Sequence, residues 1–210
     1  MKTFLVTFSC FAGLIAAQAQ STLDWGNRIP GVLLAPIYGV DPSNRTASRS
    51  GNAPSGFPAG TQTYNGALLA GTGFSAQLYF GPAGAPENSL VSVAAPPATF
   101  GTGGNAGFYN AGPVVLPGIG SGQSFAVQVR VWENFGTYAT YSAAIADDLV
   151  PRGMSALLTI DPSSFLPGQT PYLRGLESFQ LYIVPEPSVF ALGFLGLGVL
   201  AALRWSQSLS

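Results

Sequence analysis

The sequence predicts a mainly β protein, an antiparallel β-sandwich or jelly-roll-like domain. Three features lead there: strict apolar/polar alternation in three segments, glycine- and proline-rich punctuation between short apolar runs, and 19 aromatic side chains between residues 20 and 184. Alternation at period two places one face of a strand in a core and the other outside it. The 27 glycines and 17 prolines mark the turns between such runs. The aromatic side chains give the chain something to bury, which a disordered segment lacks.

Taken in chain order, Val32–Tyr38 is a first, weaker candidate strand. Residues 42–64 are rich in Ser, Asn, Gly, Ala and Pro and read as a long surface loop. In Phe74–Phe80 the residues Phe74, Ala76, Leu78 and Phe80 face inward, while Ser75, Gln77 and Tyr79 face outward. Ser89–Ala94 and Gly112–Leu116 are further weak candidates. Phe125–Trp132 has the clearest pattern, with Phe125, Val127, Val129 and Val131 on one face and Ala126, Gln128, Arg130 and Trp132 on the other. Tyr138–Leu149 fits a strand or a short helix equally well. Ser155–Ile160 is another weak strand, and Phe179, Leu181 and Ile183 alternate with Ser178, Gln180 and Tyr182 in the last one. Turn signals at Gly81-Pro82, Pro96-Pro97, Gly101–Gly107 and Gly118–Gly122 divide these runs into about seven short strands.

Charge excludes several classes of function. Charged residues make up 8% of the chain, against about 25% in ordinary soluble domains. With eight basic and nine acidic residues there is no basic footprint for nucleic acid. The absence of histidine removes Ser-His-Asp catalysis and His-containing zinc sites. Gly71-Thr-Gly-Phe-Ser-Ala76 matches the dinucleotide-binding glycine pattern, but a strand follows it where a helix is required, so it reads as a turn. Gly101–Gly107 lacks the Lys-Ser or Lys-Thr of a phosphate-binding loop. Asp41-Pro42 and Asp161-Pro162-Ser163 read as turn initiators. Asp147 and Asp148 are adjacent and diverge if they lie on a strand, although a calcium ion held by them and a carbonyl stays open. No catalytic residue, metal ligand or cofactor is assigned. For binding, Trp132 with its neighbours Arg130 and Gln128 is the candidate: an exposed indole among polar groups suits stacking on a sugar ring. The competing reading is that a second layer covers this indole. Tyr64, Phe108 and Tyr109 fall in loops and carry the same two readings.

The two ends differ from the middle. Residues 1–19 have a basic start at Lys2, an apolar stretch from Phe4 to Ala17, and small residues at Ala17 and Ala19, which together read as a secretory signal peptide cleaved after Ala19. The single cysteine, Cys10, lies inside it, so the processed chain has no thiol. A β-rich extracytoplasmic domain then occupies 20–183, and residues 184–210 form a separate tail. In that tail Val184-Pro185-Glu186-Pro187-Ser188 precedes a charge-free stretch, Val189–Leu203, closed by Arg204 and Trp205. A helix over 188–205 would reach about 27 Å, close to the hydrocarbon thickness of about 30 Å, with Arg204 and Trp205 at an interface. Such a span is short and needs its flanks to snorkel or the bilayer to thin.

This tail resembles the PEP-CTERM sorting signal of exported proteins of Gram-negative bacteria, which are processed by an exosortase. The resemblance rests on about 25 residues: the Pro-Glu-Pro tripeptide, the glycine-punctuated apolar helix (Gly193, Gly196, Gly198) and a basic end that is here Arg204 alone. It implies that Pro185, Glu186 and Pro187 are the recognition element, with an exosortase-type enzyme and the membrane as partners. It also implies a place in the cell envelope, anchored by the C-terminal helix or released to the surface, among extracellular polysaccharide. The expected function is therefore that of an exported, non-enzymatic cell-surface or matrix protein. The alternatives are a carbohydrate-binding module on a membrane anchor and, less favoured, a glycan-active hydrolase using two carboxylates.

Overall fold

The computed structural model describes residues 19–184. Most of the leader, including Ala17, and the sorting tail with Pro185, Glu186, Pro187, Arg204 and Trp205 lie outside the described residues. Among the described residues, no helix is long and apolar enough to cross a membrane.

The protein is mainly β, with antiparallel sheets and little helix. Its strands are β1 (Gln20–Asp24), β2 (Arg28–Ile29), β3 (Leu33–Leu34), β4 (Gly71–Pro82), β5 (Val91–Ser92), β6 (Ala98–Phe100), β7 (Pro113–Gly120), β8 (Phe125–Glu133), β9 (Arg152–Met154) and β10 (Leu158–Ile160). Among the described residues the one α-helix is the single turn α1 (Tyr141–Ala144). The two long, strongly alternating segments of the sequence, β4 and β8, pair antiparallel over their whole common length, from Phe74↔Glu133 to Pro82↔Phe125. They form the centre of a six-stranded sheet. On the far side of β4 lie β5 and β6, and on the far side of β8 lie β9 and β10. Strands β1 and β7 make a second, two-stranded ribbon, and β2–β3 a small hairpin.

Alternation decides what each face of the sheet does. Ala76, Leu78 and Phe80 of β4 and Phe125, Val127, Val129 and Val131 of β8 point into the main core. There they meet Leu23 of β1, Leu116 of β7, and Trp25, Leu33 and Ile37 from the chain between and beyond them. Burying each such side chain contributes about 1.5–3 kcal/mol, which makes this layer the chief source of stability.

The last segment reads as a strand in the sequence, yet it lacks a regular ladder. Instead it is stitched between loop residues on one side and Arg152, the first residue of β9, on the other. Tyr38 N–H donates to Phe179 O (3.0 Å), and Leu181 N–H donates to Tyr38 O (2.9 Å). On the other side Arg152 and Tyr182 exchange backbone bonds of 3.0 and 2.9 Å. Gln180 N–H and Ile183 N–H reach the carbonyls of Arg49 and Arg45. Phe179, Leu181 and Ile183 are buried. At Gly153 a Cβ would stand 2.9 Å from Gln180 O, so glycine is what lets the segment pass so close to β9.

Residues 42–64 contain no named helix or strand. They are nonetheless tied down at several points: Asp41 pairs with Arg49 (3.5 Å), Ser178 N–H donates to Asn52 Oδ1 (3.0 Å), and Tyr64 stacks on Tyr38 with ring centroids 4.1 Å apart. Four strands were not expected from the sequence: β1, β2, β6 and β9. Of the weak candidates, Gly112–Leu116 extends to Gly120 as β7, while Val32–Tyr38 and Ser89–Ala94 shrink to two-residue strands.

The stitching predicts a large effect from a residue near the chain's end. Leu181→Ala should lower the unfolding free energy by about 2–5 kcal/mol, because it empties a buried site. Leu166→Ala, at a position 75% exposed, should change it by less than about 0.5 kcal/mol. Urea denaturation followed by tryptophan fluorescence measures both.

Candidate functional site

The outer face of the β4–β8 pair carries Tyr79, Gln128, Arg130 and Trp132, where the sequence allows either an exposed sugar-stacking indole or one covered by a second layer. Of these two readings the structure supports the covered one. Trp132 is 0% exposed. A flap formed by residues 138–150 lies over it and builds a second, smaller core from Tyr79, Leu90, Ala126, Trp132, Tyr141, Ala144 and Val150. The indole N–H donates to Tyr138 O (2.8 Å), and Tyr141 packs edge-on against the ring at 6.0 Å. No face of this indole is open to a sugar.

The flap is held by Asp147 and Asp148, where the sequence leaves a calcium ion open. Tyr138 O–H donates to Asp147 Oδ2 (2.7 Å), and Leu149 N–H donates to Asp147 Oδ1 (2.9 Å). Arg152 clamps the same turn, donating to Asp147 O (3.0 Å) and to Asp148 Oδ1 (3.0 Å). Among the described residues there is no group of three or more side chains suited to hold a metal ion. The ambiguous stretch Tyr138–Leu149 thus becomes a capped helical turn, with Thr140 Oγ1 accepting from Ala143 N–H (3.2 Å).

Gln128 is buried as well, donating to Ser155 O (3.1 Å) and accepting from Arg130 Nε (2.8 Å). It therefore positions Arg130 and does not face solvent. Arg130 is the one member of the predicted trio that reaches a surface. Its guanidinium lies 4.1 Å from the Tyr79 ring centroid and donates through Nη2 to Glu87 O (2.9 Å). The register Trp132↔Arg152 puts Arg152 on this same outer face, one step along from Arg130↔Met154.

Glu87, Arg130 and Arg152 line a hollow of about 600 Å³ with Asn88, Tyr141 and Tyr182, within the size range of small-ligand sites. Burial pushes the Tyr141 hydroxyl up to about 12, so it stays protonated and uncharged at physiological pH. Arg152 and Tyr182 were not singled out as site residues. Arg152 comes from a three-residue strand without alternation, and only its register on β8 reveals where it points.

The other aromatic candidates are placed differently. Phe108 lies in a separate hollow of about 470 Å³ with Arg28, Asn105 and Asn110. Arg28 covers the ring at 5.1 Å and donates to Asn105 Oδ1. Tyr109 is buried beside Trp25 and Phe100, and its burial raises the hydroxyl pKa. The Tyr64 hydroxyl lies 2.6 Å from Gly51 O and 2.8 Å from Ser178 O, which gives it a structural task.

Asp41 and Asp161 act as the sequence predicts. Each accepts the backbone N–H two residues on, from Ser43 at 2.9 Å and Ser163 at 3.0 Å. Comparison with protein-family models, with curated proteins and with solved structures found no match for the chain.

Two predictions follow from this geometry. Trp132→Ala should cost about 3–5 kcal/mol of stability, because it removes the centre of the second core; chemical denaturation reads the loss. The pH dependence has a definite sign. Hydrogen bonds from the Ser43, Tyr138 and Ser163 side chains hold Asp41, Asp147 and Asp161 below the ordinary carboxylate value of 3.8. Their stabilisation is present above that value and is lost as pH falls through the lower folded-state values. Glu133 opposes this weakly, since burial raises its pKa. With no histidine in the chain, the melting temperature should be flat from pH 6 to 8 and should drop only below about pH 4. Scanning calorimetry across this range checks it, and a transition centred near pH 6.5 would contradict it.

Proposed function

We propose that this is an exported cell-surface or extracellular-matrix protein whose C-terminal tail is a PEP-CTERM-type sorting signal, and that its β domain has a non-enzymatic structural or interaction role. The feature that carries the proposal is the tail itself: Val184-Pro185-Glu186-Pro187-Ser188, the glycine-punctuated apolar stretch and Arg204, in the same chain as a leader with Ala17 and Ala19.

The position of the tail relative to the folded residues supports it. Among the described residues, the last inter-segment backbone bond runs from Ile183 N–H to Arg45 O (2.9 Å), and Pro185 comes two residues later in the sequence. Cleavage between Pro185 and Ser188 would leave every core residue of the domain in place. Four of the domain's eight carboxylates have structural tasks. Asp41, Asp147 and Asp161 are spent on turns, and Asp148 is spent on Arg152. The second ribbon facing the main sheet across one core is what a sandwich or jelly-roll assignment would build on. On this reading the partners are an exosortase-type enzyme, the membrane and the extracellular polysaccharide around the cell.

The test is the intact mass of the protein recovered from membrane and surface fractions of the native host. The expected product lacks residues 1–19 and ends close to Pro185–Ser188. A chain that still ends at Ser210 and occurs only in membranes would overturn the processing claim.

A further inference from the structure

We propose that the hollow between Arg130, Arg152 and Tyr182 binds the carboxylate-bearing ring of an acidic saccharide. The proposal rests on the exported, surface-exposed reading above only for where such a ligand would be met; the site itself stands on its geometry.

Arg130 is the starting point. The guanidinium is half-buried, and among the described residues it lies within 4 Å of no carboxylate; the ion pairs there are Arg49–Asp41 and Arg152–Asp148. Its recorded partners are neutral: Gln128 Oε1, Glu87 O and the faces of Tyr79 (4.1 Å) and Tyr141 (5.5 Å). Two of the five N–H donors of a guanidinium are thereby engaged. The group is thus locked in one orientation with donors left over, which is the condition for bidentate recognition of a carboxylate at low entropic cost.

The rest of the hollow fits a sugar ring better than a bare anion. Arg152 supplies a second cation on the neighbouring strand, already neutralised in part by Asp148 (3.0 Å). Tyr182 is half-buried and Met154 lies beside it, offering an apolar surface to the C–H face of a ring. Glu87 and Asn88 sit exposed at the rim, where a carboxylate and an amide accept and donate hydrogen bonds to ring hydroxyls. Glu87 repels each anionic group in proportion to its charge, so it penalises a phosphate or sulfate dianion more than the single carboxylate of one uronate ring. The site therefore favours a singly charged, hydroxyl-bearing unit over phosphate or sulfate.

The experiment uses the full-length protein in detergent, titrated with oligogalacturonate, with the neutral oligosaccharide cellohexaose, and with inorganic phosphate. Saturable binding of oligogalacturonate, weakened by added salt and absent for cellohexaose, is expected. Arg130→Gln should weaken it about tenfold or more, Arg130→Lys should weaken it less, and Arg174→Gln at a distant site should leave it unchanged. Circular dichroism and thermal melting verify that each variant is folded, and Tyr182→Ala provides a second route to the same loss if Arg130→Gln misfolds.

Equal binding of cellohexaose, or phosphate binding that competes with the uronate at similar concentration, overturns the proposal. So does oligogalacturonate binding that Arg130→Gln and Tyr182→Ala leave within twofold, or no binding at all. A null result that is relieved by Glu186→Gln also overturns it, assigning the hollow to the chain's own tail carboxylate. Sorting of the tail is read independently by intact mass, so the two claims can fail separately.

Discussion

The β4–β8 ladder is the constraint on which the remaining structure depends. These two strands pair from Phe74↔Glu133 to Pro82↔Phe125, and every other strand of the main sheet attaches to one of them. A ladder in this position is buried on one face and largely covered on the other, with Arg130 at the surface. Its inner face needs Val127, Val129 and Val131 against Leu78 and Phe80, and its outer face must either be covered or carry polar groups that are paired. The protein does both: residues 138–150 cover Trp132, and Gln128 meets Ser155 and Arg130. The outer edges of the sheet are divided into strands of two or three residues, β5 with β6 and β9 with β10. Such short edges offer little template for pairing with another chain.

The second constraint is the late closure of the core. Residues 178–183 fill a place between Tyr38 and Arg152 that no other segment occupies, and they bring Phe179, Leu181 and Ile183 with them. The loop 42–64 is ordered largely through this contact, by way of Arg45, Arg49, Asn52 and Tyr64. The fold therefore cannot be complete until the residues just before Pro185 are in place.

What was legible in the sequence follows from what period-two alternation can encode. It assigns residues to faces, so the inner faces of β4 and β8 came out correctly residue by residue. It does not say what lies on the second face, and so Trp132 could be placed opposite the main core and a cover anticipated as one of two readings, but the segment that provides the cover could not be named. The cover comes from a stretch whose helix is one turn long, too short to show a 3.6-residue period. Strand β1, Gln20–Asp24, escaped notice because three of its five residues are Gln, Ser and Thr and its partner β7 is remote in sequence. The Phe179–Ile183 segment alternates like a strand, but its backbone bonds to strand β9 only at Arg152 and otherwise to the loop residues Tyr38, Arg45 and Arg49, so no continuous ladder forms. The hollow was legible only through Arg130. Arg152 and Tyr182 reach it through cross-strand register, which no local pattern carries.

The scarcity of charge gives the arginines an unusual role. Arg28 lies over Phe108, Arg130 over Tyr79, and Arg174 over Phe165 at 4.3 Å, so three of the six arginines of the domain rest on aromatic rings. Only Arg49 and Arg152 pair with carboxylates among the described residues. Stacking fixes a guanidinium in place without neutralising it. At Arg28 and Arg174 the charge is then spent on local groups, Asn105 in one case and Ser164 in the other. At Arg130 the stacking occurs at the edge of a hollow, and the positioned charge faces a space large enough for a ligand. The feature that sets this arginine apart is thus not its charge but its immobility beside an opening, and that immobility traces back to the same ladder that positions Tyr79 and Gln128 around it.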